Sequence, residues 1–157
     1  MTSSKVRLAP AERHAWRGLT SLQARLMRPL GRRLQRATGL STAEYEVLVN
    51  LDKAPCGELR VLELAAAMEW EKSRLSKQIG RMVDRGLVAR QPCPTDQRGA
   101  LLALTGAGRD AFVAAEQVHL EHVRELFFDA LEPDELVALG DIAAKVLAHV
   151  EAADAPA

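Results

Sequence analysis

The chain has 157 residues, 48% of them hydrophobic and 4% aromatic, with 21 basic and 21 acidic side chains that leave no net charge. That length suits one domain or two small lobes, and a composition led by leucine, alanine, arginine and glutamate suits a mostly helical protein with a real core. No apolar run nears the roughly 18 residues of a membrane span, the start lacks the apolar middle of a signal peptide, and two cysteines make no disulfide framework, so a reduced, cytoplasmic setting is expected.

A first helix is expected over 10–38, where Leu19, Leu22, Leu26, Leu30 and Leu34 recur every three or four residues. Pro10 suits its first turn, Gly39 ends it, and Pro29 predicts a kink or a break into two pieces. "STAEYEVLVNLDKA" opens with a capping box, Ser41 to Glu44, or starts one residue later at Thr42 without the acid. The helix that follows, about 42–53, has Tyr45, Leu48, Val49 and Leu51 as apolar members and stops at "APCG". A third, about 61–69, buries Leu62, Leu64, Ala65 and Met68. After the tight link "EWEK", a fourth spans about 72–85 and closes at Gly86, with Leu75, Ile79, Met82 and Val83 as its buried stripe.

"LVARQ" and "ALLALT" read as two strands, with Pro92 and Pro94 placed where pairing ends. "TGAGRDAF" starts a fifth helix, Thr105 to about Leu131. A sixth has Pro133 in its first turn and Leu136, Leu139, Ile142, Val146, Leu147 and Val150 along one side. The order is four helices, two strands, two helices, without internal repeats.

The zero net charge conceals blocks. Residues 1–40 carry nine basic and one acidic side chain, residues 72–98 seven and two (+5), and residues 110–154 two and eleven (−9). A basic middle in a neutral chain suits local binding of a polyanion, with the acidic end kept away from it. Solvated surface charge is the competing reading.

The third and fourth helices, with their short link, have the dimensions of a helix-turn-helix, whose second helix enters the DNA major groove. Between the apolar positions of that helix lie Ser73, Arg74, Ser76, Lys77, Gln78 and Arg81. Arg74 suits bidentate contact with guanine and Gln78 with adenine. Lys77 and Arg81 suit phosphates, and Ser73 and Ser76 suit either. The hairpin then supplies a wing. Arg98 at its tip suits a narrow, electronegative minor groove, Asp96 can orient the guanidinium, and Gly99 allows the tight backbone.

The stretch "ELAAAMEWEKSRLSKQIGRMVDRGLVARQPCPTDQRGALLALTGAG" resembles the winged helix-turn-helix core of the MarR family of transcriptional regulators. The matching marks are "SRLSKQIGRMVDRGLV", the wing "DQR" and "LTGAG", and the likeness extends over nearly the whole chain. It implies a mainly α fold with a small β-hairpin wing, in which a DNA-binding core over 41–105 is flanked by dimerisation helices over 1–40 and 106–157. It also implies a homodimer on double-stranded, pseudo-palindromic operator DNA, with Ser73, Arg74, Ser76 and Lys77 in the groove, Arg98 on the wing and Asp96 as its partner. Leu126, Phe127, Leu131, Leu136, Leu139 and Leu147 are the residues expected to bury against the second subunit; packing within one chain is the alternative.

Family members often bind small, commonly phenolic, anions. His14, Trp16 and Arg17 with Tyr45 make a candidate pocket for an aromatic or anionic ligand, with core or dimer packing as the competing reading of Trp16 and Tyr45. Cys93 lies near the wing, where oxidation would disturb DNA contact. The family's peroxide sensors carry their cysteine near the start, however, and none occurs here before Cys56. His119 and His122, with Glu116 near, share a helical face, but two histidines are a weak zinc signal. No metal or cofactor is expected. No catalytic or phosphate-loop arrangement appears, so the chain does not read as an enzyme. The alternatives to a repressor released by a ligand are a winged-helix protein-interaction adaptor and a cysteine- or metal-responsive regulator.

Overall fold

The computed structural model describes residues 7–93 and 96–155, with the side chains of Cys56 and of residues 93–99 outside the description. Six α-helices occur in it: α1 (Pro10–Thr38), α2 (Thr42–Asp52), α3 (Val61–Ala67), α4 (Lys72–Asp84), α5 (Gly106–Leu126) and α6 (Pro133–Asp154). Three strands join them: β1 (Glu58–Arg60), β2 (Val88–Cys93) and β3 (Asp96–Leu104). The chain divides into two compact units, Met1–Leu120 and Glu121–Ala157.

Capping chemistry sets most boundaries. At the start of α1 the Ala9 amide donates to Glu12 at 2.6 Å, and Pro10 occupies the first turn, where its missing N–H costs nothing. The helix runs without a break through Pro29 to Gly39, which closes it at φ 71°. Downstream, Leu30 and Leu34 are buried, which anchors that half. The carbonyl that Pro29 cannot serve as a helical donor belongs to Arg25, in an exposed stretch open to solvent. The capping box forms as expected: Ser41 Oγ accepts from the Glu44 amide at 3.3 Å, and the Ser41 amide donates to Glu44 at 2.8 Å.

The core of the first unit gathers Leu34 and Leu40 with Val47, Leu48 and Leu51 of α2, Leu64 of α3, and Leu75, Ile79 and Met82 of α4. Val88, Leu102, Phe112 and Ala115 complete its far side. Two expected members are missing from it: Leu62 is 62% exposed and Val83 36% exposed. On α3, Leu64 and Ala65 define the inward face, and Leu62 lies off it. On α4, the buried row is Leu75, Gln78, Ile79 and Met82, with Val83 at its edge.

The sheet has the order β1-β3-β2, all antiparallel. β1 went unanticipated: three residues pairing Glu58, Leu59 and Arg60 with Ala103, Leu102 and Leu101 are too few to show alternation. The hairpin strands reach further into the wing than expected. Pro92 faces Ala100 on the edge strand β2, and the register shifts between Pro92 and Cys93. An edge strand tolerates a residue without an N–H. α5 stops at Leu126, short of the expected Leu131. A 3-10 turn over Phe128–Ala130 follows, and Glu132 is extended ahead of Pro133, as a residue before proline must be.

Thr105 ties the sheet to α5. Its hydroxyl donates to the Gly86 carbonyl at 2.6 Å and accepts from the Gly108 amide at 2.9 Å, so it caps the helix. A Cβ at Gly108 would lie 1.9 Å from the Leu87 carbonyl oxygen, so the first turn of α5 presses directly on backbone. This contact accounts for the second glycine in "LTGAG".

Candidate nucleic-acid interface

α3 and α4 are joined by Met68, Glu69, Trp70 and Glu71. The Trp70 amide donates to the Ala65 carbonyl at 2.9 Å and the Glu69 amide to that of Ala66 at 3.1 Å. This double bond pattern is a Schellman closure, in which Glu69 takes the left-handed position at φ 51°. A side chain there costs about 1–2 kcal/mol relative to glycine, strain concentrated at the turn that sets the angle between the two helices. The far end of α4 closes the same way around Gly86: Leu87 donates to Met82 and Gly86 to Val83, both at 2.9 Å.

Between those closures α4 presents Ser73, Arg74, Lys77 and Arg81 to solvent and leaves Ser76 half-buried. Gln78 departs from expectation. It is 5% exposed and lies in the inward row between Leu75 and Ile79, where it accepts a hydrogen bond from Arg81. A side chain so placed is not presented to a base edge, so the structure does not support adenine recognition by Gln78. Polarity misled the reading: Gln78 stands three residues after Leu75 and four before Met82, an inward position whatever its chemistry.

Arg74 has a partner not anticipated from sequence. Its guanidinium carbon stands 3.8 Å from the centroid of the Trp70 ring. Trp70 is half-buried and packs against the core cluster that includes Leu75. The one-turn spacing of an arginine after a tryptophan was the available signal.

At the other end of α4, Arg85 bonds to the Glu44 carboxylate and to the Gly39 carbonyl at 3.3 Å. Glu44 is 7% exposed. Burial, the largest influence on it, opposes ionisation, but bonds from the Ser41 amide and hydroxyl and the charge of Arg85 outweigh that and hold the carboxyl below its ordinary range. The C-terminal end of α4 is thereby fastened to the α1–α2 corner. A second ion pair, Arg109 to Asp52 at 3.0 Å, links α5 to α2.

Asp96 and Arg98 stand at the start of β3 in the wing. Their side chains, and the expected pair between them, lie outside the described residues, as do the side chains of Cys56 and Cys93.

The expected ligand pocket does not assemble within one chain. His14, Trp16 and Arg17 are exposed on the first half of α1, Trp16 at 60%. Tyr45 packs against the core cluster to which Leu34 belongs, and eighteen residues of helix put Trp16 roughly 27 Å from Leu34. The Tyr45 ring meets Phe112 at 6.2 Å and His119 at 5.0 Å instead. Burial first, and the Glu116 charge second, raise its phenol further above the usual value, so it stays protonated. A different concavity exists: an open groove of about 460 Å³ lined by Met27, Arg28, Gly31, Arg32, Gln35, Arg36, Ser41 and Thr42. Arg28, Arg32 and Arg36 follow one another at helical spacing, a signal present in the sequence.

Among the described residues, no group of three or more His, Cys, Asp or Glu gathers to hold a metal, and no helix is long and apolar enough to cross a membrane. Leu126, Phe127, Leu131 and Leu136 are half-buried, and Leu139 and Leu147 are 40% and 60% exposed.

A model of the MarR family matches residues 38–99, the segment holding the turn, α4, β2 and the start of β3. The multiple antibiotic resistance protein MarR of Escherichia coli is 28% identical over 108 residues, covering 69% of this chain and 74% of that protein. AbsC, a MarR family transcriptional regulator from Streptomyces coelicolor, superposes with a TM-score of 0.84 at 34% identity, over 94% of this chain and 99% of that one. Sco3205, a MarR family transcriptional regulator from the same organism solved in complex with DNA, superposes with a TM-score of 0.82 at 33% identity, over 92% and 94%.

Proposed function

This chain belongs to the MarR family of transcriptional regulators, and from that premise we propose that it is a cytoplasmic homodimeric repressor of pseudo-palindromic operator DNA, released by a small anionic ligand. One observation carries the reading: α4 presents Ser73, Arg74, Lys77 and Arg81 together on its exposed side, immediately before a hairpin whose β3 strand holds Asp96 and Arg98. The DNA complex of Sco3205, a neighbour over nearly the whole chain, supports it. Residues 41–105 hold the DNA-reading parts, while the terminal segments 1–40 and 106–157 hold the apolar faces that pair two copies. Arg74 reads a base edge, Lys77 and Arg81 neutralise phosphates, and Arg98 enters the minor groove beside Asp96.

The ligand reading moves from the expected residues to the arginine groove. Three guanidinium groups and the hydroxyl of Thr42 suit a carboxylate or phenolate. Ser41 also belongs to the hydrogen-bonded corner that holds Arg85, so occupancy there would be felt at α4.

Footprinting tests the DNA reading. Protected half-sites about 10 bp apart are expected, with affinity that falls steeply as salt rises. Arg98→Ala should weaken binding most at A·T-rich flanks. A shallow salt dependence with no protected sequence would favour the protein-interaction alternative.

A further inference from the structure

The geometry points to Trp70 as a positioning residue for sequence reading, a platform that holds the Arg74 guanidinium in the pose it presents to DNA. The inference rests on the assignment of Arg74 as a base-reading residue. Trp70 occupies the position just before the N-cap residue Glu71, and Arg74 is the third residue of the helix. The two would ordinarily be independent, since a surface arginine samples many rotamers and loses that freedom on binding. Here the guanidinium sits 3.8 Å above the indole, within the range of a cation–π contact.

The indole is itself held. Its backbone closes the Schellman turn through the 2.9 Å bond to Ala65, and its half-buried side packs on the core beneath α4. The turn is further constrained by the left-handed backbone at Glu69. A rigid aromatic face thus carries a mobile cation at the N-terminal end of α4, the end that meets base edges in a helix-turn-helix. The entropy of ordering Arg74 is spent during folding rather than on the operator. Stacking also leaves the edge of the guanidinium, with its N–H donors, directed away from the ring and available for a bidentate contact.

Four variants, Trp70→Leu, Trp70→Phe, Arg74→Ala and the double variant W70L/R74A, are measured for affinity to the operator and to random DNA, alongside thermal stability. Arg74→Ala is expected to lower the operator-to-random ratio by roughly five- to 150-fold, the size of one good base contact. Trp70→Leu, which keeps an apolar group on the core, is expected to lower the same ratio about two- to fivefold. Trp70→Phe, which keeps a face to stack on, should lose less. The double variant should lose no more than Arg74→Ala alone.

Loss of selectivity in Arg74→Ala with none in Trp70→Leu would overturn the platform and leave Arg74 as a reader. Full additivity in the double variant, or equal losses in Trp70→Leu and Trp70→Phe that track their stability, would also overturn it, by making Trp70 a packing residue. Undiminished selectivity in Arg74→Ala would remove the base-reading assignment and the platform with it.

Discussion

Two glycines show how one substitution takes opposite signs. Gly108 lies where the first turn of α5 crosses the backbone of Leu87, and an added Cβ would meet the carbonyl oxygen at 1.9 Å and the carbonyl carbon at 2.9 Å. Both atoms are backbone, so no side chain can swing aside and the helix itself must move. Gly108→Ala is expected to cost about 1–3 kcal/mol, the ordinary penalty of overpacking. Gly80, inside α4, has nothing within 4 Å of its would-be Cβ. Gly80→Ala is expected to add roughly 0.5–1 kcal/mol by removing backbone freedom from the unfolded chain. Denaturant melts of the two variants check the pair. Equal effects would mean that the close approach at Leu87 yields easily.

At the scale of elements, α4 is held at both ends, by Trp70 and the Schellman turn at one and by Arg85 at the other. Glu44 is the receiving group at that second end, and its depressed carboxyl makes the link sensitive to acid. A carboxylate that ionises more readily in the folded chain stabilises the fold above the unfolded value, near 4.5, and loses that contribution as pH falls through the folded value. Glu44→Gln is therefore expected to lose about 1–3 kcal/mol at neutral pH. Its deficit should shrink as pH drops below about 4.5, because the parent then loses the same charge. A deficit independent of pH would show that shape rather than charge fastens the corner. The sequence disclosed half of this link. The Ser41–Glu44 capping box is local and was readable, but the partner 41 residues away leaves no spacing to find. The same division runs through the fold. Leu75, Ile79 and Met82 announce α4 by period, whereas the polarity of Gln78 hides an inward position, and Val83, which fits the same period, lies at the edge of the buried row at 36% exposure. The three-residue β1 was too short to carry a pattern, and Glu69 gave no sign of a left-handed turn because glycine is the usual marker of one.

For the whole molecule, the apolar surface remaining on the terminal helices sets the argument for a second copy. α6 has no buried residue in its 22, yet it carries Val137, Leu139, Ile142, Val146, Leu147 and Val150, each at least 40% exposed. α1 adds Trp16, Leu19, Leu22 and Met27, exposed by between 44% and 60%. Soluble monomers rarely leave a helix with so many large apolar side chains open to water. A self-complementary twofold contact is the common way to cover such a face, and it also delivers two copies of α4 to two half-sites. On this proposal the acidic balance of residues 110–154 would disfavour phosphates, and the basic block over 72–98 would favour them. Sedimentation is expected to give twice the chain mass of 17.1 kDa, with a melting temperature that rises with concentration. Leu139→Glu combined with Leu147→Glu should split the pair. Operator affinity should then fall by roughly 10²–10⁴, because each DNA-reading lobe must bind without the effective concentration its twin supplied. Random-sequence affinity at low salt should fall far less, since each lobe retains its own cations. A parent chain that sediments at 17.1 kDa and melts at one temperature across a hundredfold range of concentration would leave the exposed leucines without a partner and the twofold reading of the operator without a basis.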